Sequence, residues 1–139
     1  MSMPDPVVPT RFEPHFRRSG LTDPWEPLYS QRLPDAIHLG LFAGPAHANS
    51  RGFVHGGLLA SLADNAMGLS CAQARGDEGA LVTVNLSVDF VAPARLAQWI
   101  EICPTVIKAG HQLSFASAVI KADGKVCARA NATFQALAR

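Results

Sequence analysis

The sequence predicts an α+β fold: a curved antiparallel sheet wrapped around one long, buried helix. Three observations carry that expectation. Residues 57–75 contain no proline and run past strand length, so they read as a helix. The hydrophobic period switches to two directly afterwards, beginning with "LVTVNLSVDFV" at 81–91. The order is strand, long helix, then four consecutive strands, and a run of strands with a segregated helix indicates α+β.

Taken in order, the chain opens with a proline-rich stretch. Seven of the ten prolines lie in residues 1–34, and proline removes donors and restricts φ, so the chain is expected to be irregular to about residue 24. "DPWEPLYSQRL" (23–33) mixes aromatic and polar residues and is expected to hold a short docked helix. "AIHLGLFAG" (36–44) alternates as a first strand, and the turn-rich "PAHANSRGFV" (45–54) reads as a loop. In the helix, Leu58, Leu59, Leu62, Met67 and Leu69 are spread around the axis with Ala, Gly and Ser between them. A helix with no clear polar face is buried on most sides. "ARGDEGA" (74–80) ends it.

In the next strand Val82, Val84, Leu86, Val88 and Phe90 alternate with Thr83, Asn85, Ser87 and Asp89, the pattern of a half-buried strand. "APARLA" (92–97) is a turn or bulge. "QWIEICPTVIK" (98–108) is a strand in which Pro104 indicates an edge or a bulge. "AGHQ" (109–112) turns the chain, and strands at 113–122 and 125–137 join at Asp123-Gly124, a hairpin signal. The division expected is an N-terminal extension over 1–34 and a domain over 35–139. One protomer's sheet does not easily cover all of so apolar a helix, so a dimer is expected on physical grounds.

Composition narrows the class. The 139 residues suffice for one domain with a real core, 48% hydrophobic and 17% charged. Net charge is +1, from 12 Lys and Arg against 11 Asp and Glu, and no basic stripe points to nucleic acid. Cys71, Cys103 and Cys127 form no C-x-x-C pair and have no His at metal-ligand spacing, which reads as buried free thiols in a reducing compartment. The N-terminus lacks an apolar signal region. The low-charge run 56–74 carries Asp64, Asn65 and Gln73, which argues against a membrane span. The expected location is the cytoplasm.

The chemistry concentrates around the helix start. Asp64 is the only charged residue between His55 and Arg75. Gly56 and Gly57 permit close approach of a ligand to the backbone, and the free N–H groups of a first helical turn can stabilise an oxyanion. A purely steric Gly-Gly turn is the plain alternative. A buried, unpaired carboxylate is costly, so Asp64 needs a partner or a task, either backbone hydrogen bonding or work as a general base or nucleophile. Asp64 lies seven residues past Gly57, about 10 Å along the axis, too far for one chain to use both groups on one carbon. Two antiparallel helices would bring Asp64 of one copy to Gly56 of the other. His55 is either an acid–base group or a loop anchor, and Asn49 either orients a water or makes a turn. Ser61 has no nucleophile-elbow context. Lys108, Gly110, His111 and Arg95 are cationic or donor groups in turns, free to meet phosphates or merely solvated. Met67, Leu69 and Phe90 fit either a pocket wall or ordinary core.

"NSRGFVHGGLLASLADNAMG" (49–68) resembles the segment that marks hotdog-fold acyl-CoA thioesterases of the phenylacetate-degradation (PaaI-like) group: an Asn, a short Gly-containing loop, His-Gly-Gly, then Asp on the central helix. "VTVNLSVDFVAPAR" (82–95), "VIKAGHQLSFASAVI" (106–120) and "DGKVCARANATF" (123–134) are similar to the same family, so the resemblance covers roughly 36–137. It implies a dimer with a continuous sheet, usually paired into a homotetramer, with two sites per dimer at the interface. It implies Asp64 as the catalytic carboxylate and the Gly56 N–H of the opposite subunit as the group polarising the thioester carbonyl. It places Asn49 and His55 where they orient the carbonyl, water or leaving thiolate, and Thr83 near the attacking water. Gly57, Asn85, Phe90, Arg95, Lys108, Ala109, Gly110, His111, Gln112 and Leu113 match positions that line the CoA groove.

The leading expectation is therefore hydrolysis of an acyl- or aryl-acyl-CoA with no metal and no organic cofactor, CoA being part of the substrate. A hotdog hydratase or dehydratase, a non-catalytic acyl-CoA-binding module and a purely structural oligomer are the alternatives. Enoyl-CoA hydration, binding without CoA release, and neither, respectively, would identify them.

Overall fold

In a computed structural model, residues 7–76 and 79–137 are described. The strands are β1 (Glu13–Pro14), β2 (Tyr29–Arg32), β3 (Ile37–Phe42), then helix α1 (Gly56–Arg75), then β4 (Leu81–Phe90), β5 (Trp99–Ala109), β6 (Leu113–Ala122) and β7 (Lys125–Ala136). They form one antiparallel sheet in the order β1-β2-β3-β5-β6-β7-β4. α1 lies across its concave face, the expected hotdog arrangement of one long helix wrapped by a sheet.

Small residues let the layers approach. Ala116, Ala118, Ala128, Ala130 and Ala132 on the inner face of β6 and β7 are buried, as are Ala63 and Ala66 of α1. Leu62, Met67, Ile100, Ile102 and Ile120 fill the core between them. Ser70, fully buried, ties helix to sheet: its hydroxyl donates to Ala66 O at 2.7 Å and accepts from Ile37 N at 2.9 Å. The helix ends where expected, because Gly76 caps it at φ +70, a conformation that favours glycine. Residues 77 and 78 of the expected terminator lie outside the described residues, as do 1–6. The Asp123-Gly124 hairpin has positive φ at both residues, 48° and 82°, as the short turn requires.

Four expectations are corrected. The stretch 23–33 does not hold a docked helix beyond one 3-10 turn at Asp23–Trp25; Pro27 interrupts it, and Tyr29–Arg32 pairs with β3 as a strand. The N-terminal stretch also contributes the two-residue β1. β5 is central, between β3 and β6, although it carries Pro104. The registered pairing with β3 stops at Ile102, so Pro104 sits beyond that ladder, and a bulge follows between Val106 and Lys108.

The fourth correction concerns β4. Simple alternation puts Thr83 on the polar face with Asn85, Ser87 and Asp89. A register shift between Thr83 and Asn85 reverses the parity. Thr83 pairs with buried Phe134, and Leu86, Val88 and Phe90 pair with buried Ala132, Ala130 and Ala128, so Thr83 faces the helix. β4 is also an edge strand, with Val84 51% and Phe90 54% exposed.

Candidate active site

The loop before α1 is built to deliver His55 and Gly56. Buried His47 organises it: Nδ1 accepts from Gly44 N at 2.9 Å, Nε2 lies 2.9 Å from Trp25 O, and its carbonyl accepts from His55 N at 2.8 Å. Sequence reasoning passed over His47; its place three residues after Gly44, in a Gly-Pro turn, was the only signal. Asn49 closes the next turn, its Oδ1 accepting from Arg51 N at 2.9 Å and Phe53 N at 3.1 Å. That side chain therefore makes the turn, and its amide NH₂ donates to nothing among the described residues. Val54 N then donates to Ala94 O at 2.9 Å, fastening the loop to the segment after β4.

His55 is the N-cap of α1. Its Nδ1 accepts from Gly57 N at 2.8 Å, so the neutral ring carries its proton on Nε2. Its carbonyl accepts from Leu58 N at 3.1 Å and Leu59 N at 3.2 Å. Three of the first four helical N–H groups are thus spent. Gly56 N–H, the remaining one, donates to nothing among the described residues, at the positive end of a 20-residue helix. The ring of Phe90 lies over Gly56, where an added Cβ would stand 3.0 Å from Phe90 Cζ.

Asp64 stands two turns further along α1, half-buried rather than enclosed. Thr83 Oγ1 donates to its Oδ1 at 2.6 Å, a short charge-assisted bond. Nothing among the described residues donates to Oδ2. The half-buried face of α1 around it is small: Ser61, Asn65 and Gly68 flank it, and the Ser61 hydroxyl donates back to Gly57 O at 2.9 Å. Asp64, Thr83, Gly68 and Leu69 line a cavity of about 870 Å³, whose far wall comes from the N-terminal stretch through His15 and Arg17. Burial lowers the pKa of His15, whose Nδ1 has no partner among the described residues. His55 and Gly57 line a second, smaller cavity of about 360 Å³ with Trp25 and His47.

One chain therefore brings Asp64 to Thr83 and Phe90 to Gly56, but it does not bring Asp64 to Gly56. Of the expected groove residues, Asn85 is on the outer face of β4, and Arg95 sits in the loop with its guanidinium 5.8 Å from the Phe53 ring centre. Lys108 and Ala109 end β5, and Gly110, His111, Gln112 and Leu113 complete the turn into β6. That turn is fastened to the far end of the helix, Arg75 donating to His111 O at 3.3 Å. It lies about 30 Å along α1 from Gly56 at ~1.5 Å per residue. Met67 is core, fully buried. Cys71 and Cys127 are buried, as expected, whereas Cys103 is only partly so. No helix among the described residues is long and apolar enough to cross a membrane.

Comparison with known proteins agrees with this frame. Residues 51–128 match the model of the thioesterase superfamily. A candidate esterase of Pseudomonas aeruginosa is 36% identical over 128 residues, covering 91% of this chain and 96% of that protein. Human acyl-coenzyme A thioesterase 13 is 40% identical over 91 residues, covering 63% of each chain. A Bacillus halodurans protein solved with CoA superposes with a TM-score of 0.72 at 27% identity, covering 79% of this chain and 74% of its own. The sequence match spans more than half the chain, and the helix-in-sheet architecture is shared: this protein belongs to the thioesterase superfamily of hotdog-fold thioester hydrolases.

Proposed function

We propose that this chain hydrolyses the thioester of an acyl- or aryl-acyl-CoA to the free acid and CoA, at sites formed between two copies. One observation carries the reading: α1's single mid-helix carboxylate, Asp64, faces a cavity with Oδ1 held by Thr83 and Oδ2 open. Oδ2 is the atom that takes a proton from the attacking water, or attacks the carbonyl carbon itself to give a mixed anhydride that water then hydrolyses to the free acid. Charge developing on the carbonyl oxygen is met by the unspent N–H of Gly56 from the second copy, in a helix N-terminus whose dipole favours it. The C–S bond then breaks and the CoA thiolate departs. His55 Nε2–H and the Asn49 amide serve as further donors beside the partner's carbonyl and leaving group. The groove residues Asn85, Arg95 and the Lys108–Leu113 turn serve CoA from the surface.

The edge position of β4 supports a dimer. Its exposed Val84 and Leu86 and its unpaired backbone groups suit pairing with a second β4, continuing the sheet and setting two α1 helices antiparallel. Pairing of two such dimers makes the homotetramer that the resemblance implies. The test is Asp64→Ala: the variant folds and binds CoA while hydrolysis falls by orders of magnitude. Unchanged turnover with a panel of aliphatic and aromatic acyl-CoAs refutes the assignment.

A further inference from the structure

On the sheet face turned away from α1, far from Asp64, three side chains meet that the proposed reaction does not use. His38 of β3 and Glu101 and Cys103 of β5 each offer one ligand atom, and the three atoms lie within 4.8 Å of one another. We propose that they form a binding site for a borderline divalent cation, zinc foremost.

Imidazole nitrogen, carboxylate oxygen and thiolate sulfur are the donor set that zinc selects. The spacings agree. Glu101 Oε2 is 3.4 Å from His38 Nδ1 and 3.6 Å from Cys103 Sγ. The first is long for a hydrogen bond. A tetrahedral ion with ordinary Zn–N, Zn–O and Zn–S bonds requires edges of about 3.4 Å between N and O and about 3.6 Å between S and O. A small rotation of the imidazole or thiol closes the third edge. The fourth position is left to water.

The surroundings point Oε2 at that position. Its sister atom Oε1 is occupied, taking a hydrogen bond from Trp99 Nε1 at 3.2 Å and a close ion pair from Arg11. Outer donors of this kind orient a ligating carboxylate. The two strands that carry the ligands are locked by the Gly40–Glu101 and Leu39–Ile102 pairs, so the ligands stand on rigid backbone. Binding releases the Cys103 thiol proton to solvent and links β3 to β5. Arg11 adds the N-terminal stretch to the same clamp.

The experiment uses the full chain without an affinity tag, titrated with Co²⁺. One ion per chain is expected, with an ultraviolet thiolate-to-cobalt charge-transfer band that zinc abolishes by displacement. Cys103→Ser removes the band, and His38→Gln weakens binding at least tenfold. Arg11→Ala weakens it about tenfold through the orienting contact. Circular dichroism shows that each variant remains folded. Absence of the band in the folded wild-type chain overturns the site. A band that survives in Cys103→Ser overturns it too, since the sulfur would then belong to Cys71 or Cys127.

Discussion

Gly56→Pro deletes one atom group, the N–H proposed to meet the oxyanion, and the local structure is already suited to the change. Proline is well tolerated at the first helical position, where its missing donor has no helical partner. Gly56 N–H makes no hydrogen bond among the described residues, so none is lost. The residue before proline must be extended, and His55 is, at φ −65 and ψ 130. The remaining cost is the ring of Phe90, 3.0 Å from a new Cβ; being 54% exposed, it can swing aside at a cost of about 1 kcal/mol. Loss of one oxyanion donor costs about 2.7–4 kcal/mol, roughly 10²–10³-fold in kcat. Gly56→Ala is the control, since it adds a Cβ and keeps the N–H. Release of the CoA thiol, followed with a chromogenic reagent, should fall strongly in Gly56→Pro and little in Gly56→Ala. Equal activity in the two variants refutes the role of the N–H. Co-expression with Asp64→Ala adds a second arm. Half the dimers are then mixed, and each mixed dimer keeps one intact site of two, so about a quarter of wild-type activity should return. No recovery refutes a site shared between copies.

Thr83→Val keeps the shape and removes the 2.6 Å bond to Asp64. Because Thr83 is exposed, the low end of the charge-assisted range applies, about 1.5 kcal/mol, or roughly tenfold in kcat with KM little changed. Thr83→Ser should restore it, and Thr83→Val activity within twofold of wild type would remove Thr83 from the site. Gly40→Ala drives a Cβ into the ring of Trp99, which packs against Phe12, Tyr29 and Phe42; thermal unfolding should show a loss of about 1–3 kcal/mol that Trp99→Leu relieves. Burial holds His15 below its ordinary 6.5, so the unfolded chain binds the proton more readily. Stability from this group is complete above pH 6.5 and declines as pH falls through that value, and a His15→Gln variant should flatten the decline in Tm. Glu101 adds a loss at lower pH. Burial alone would raise its pKa, but the Trp99 hydrogen bond, the neighbouring His38 ring and the Arg11 charge together hold it below 4.5, so its contribution fades as pH falls below that value.

The helix and the four strands after it were legible because each is long and strongly periodic. α1 was expected over 57–75 and found at Gly56–Arg75, and β6 was expected and found over 113–122. β2 was not legible. Four residues between prolines carry too little pattern to separate a strand from a helical turn, and pairing with β3 decided the matter. His55 was left between two roles on sequence grounds; the 2.8 Å bond from Gly57 N places its Nδ1 as the helix cap, and Nε2–H is the atom the proposed reaction uses.

The sequence by itself determined the class of fold, the helix that carries Asp64, and the offset that keeps Asp64 from its own Gly56. These depend on local periodicity and on helical rise, which any stretch of chain obeys. Only the tertiary structure decided which residues meet. The bulge in β4 reversed strand parity and turned Thr83 to Asp64, although strict alternation sends it to the opposite face. The pairing of β3 with β5 set His38 beside Glu101 and Cys103, more than 60 residues apart in sequence. Register is a property of two strands together, so no single stretch of sequence contains it.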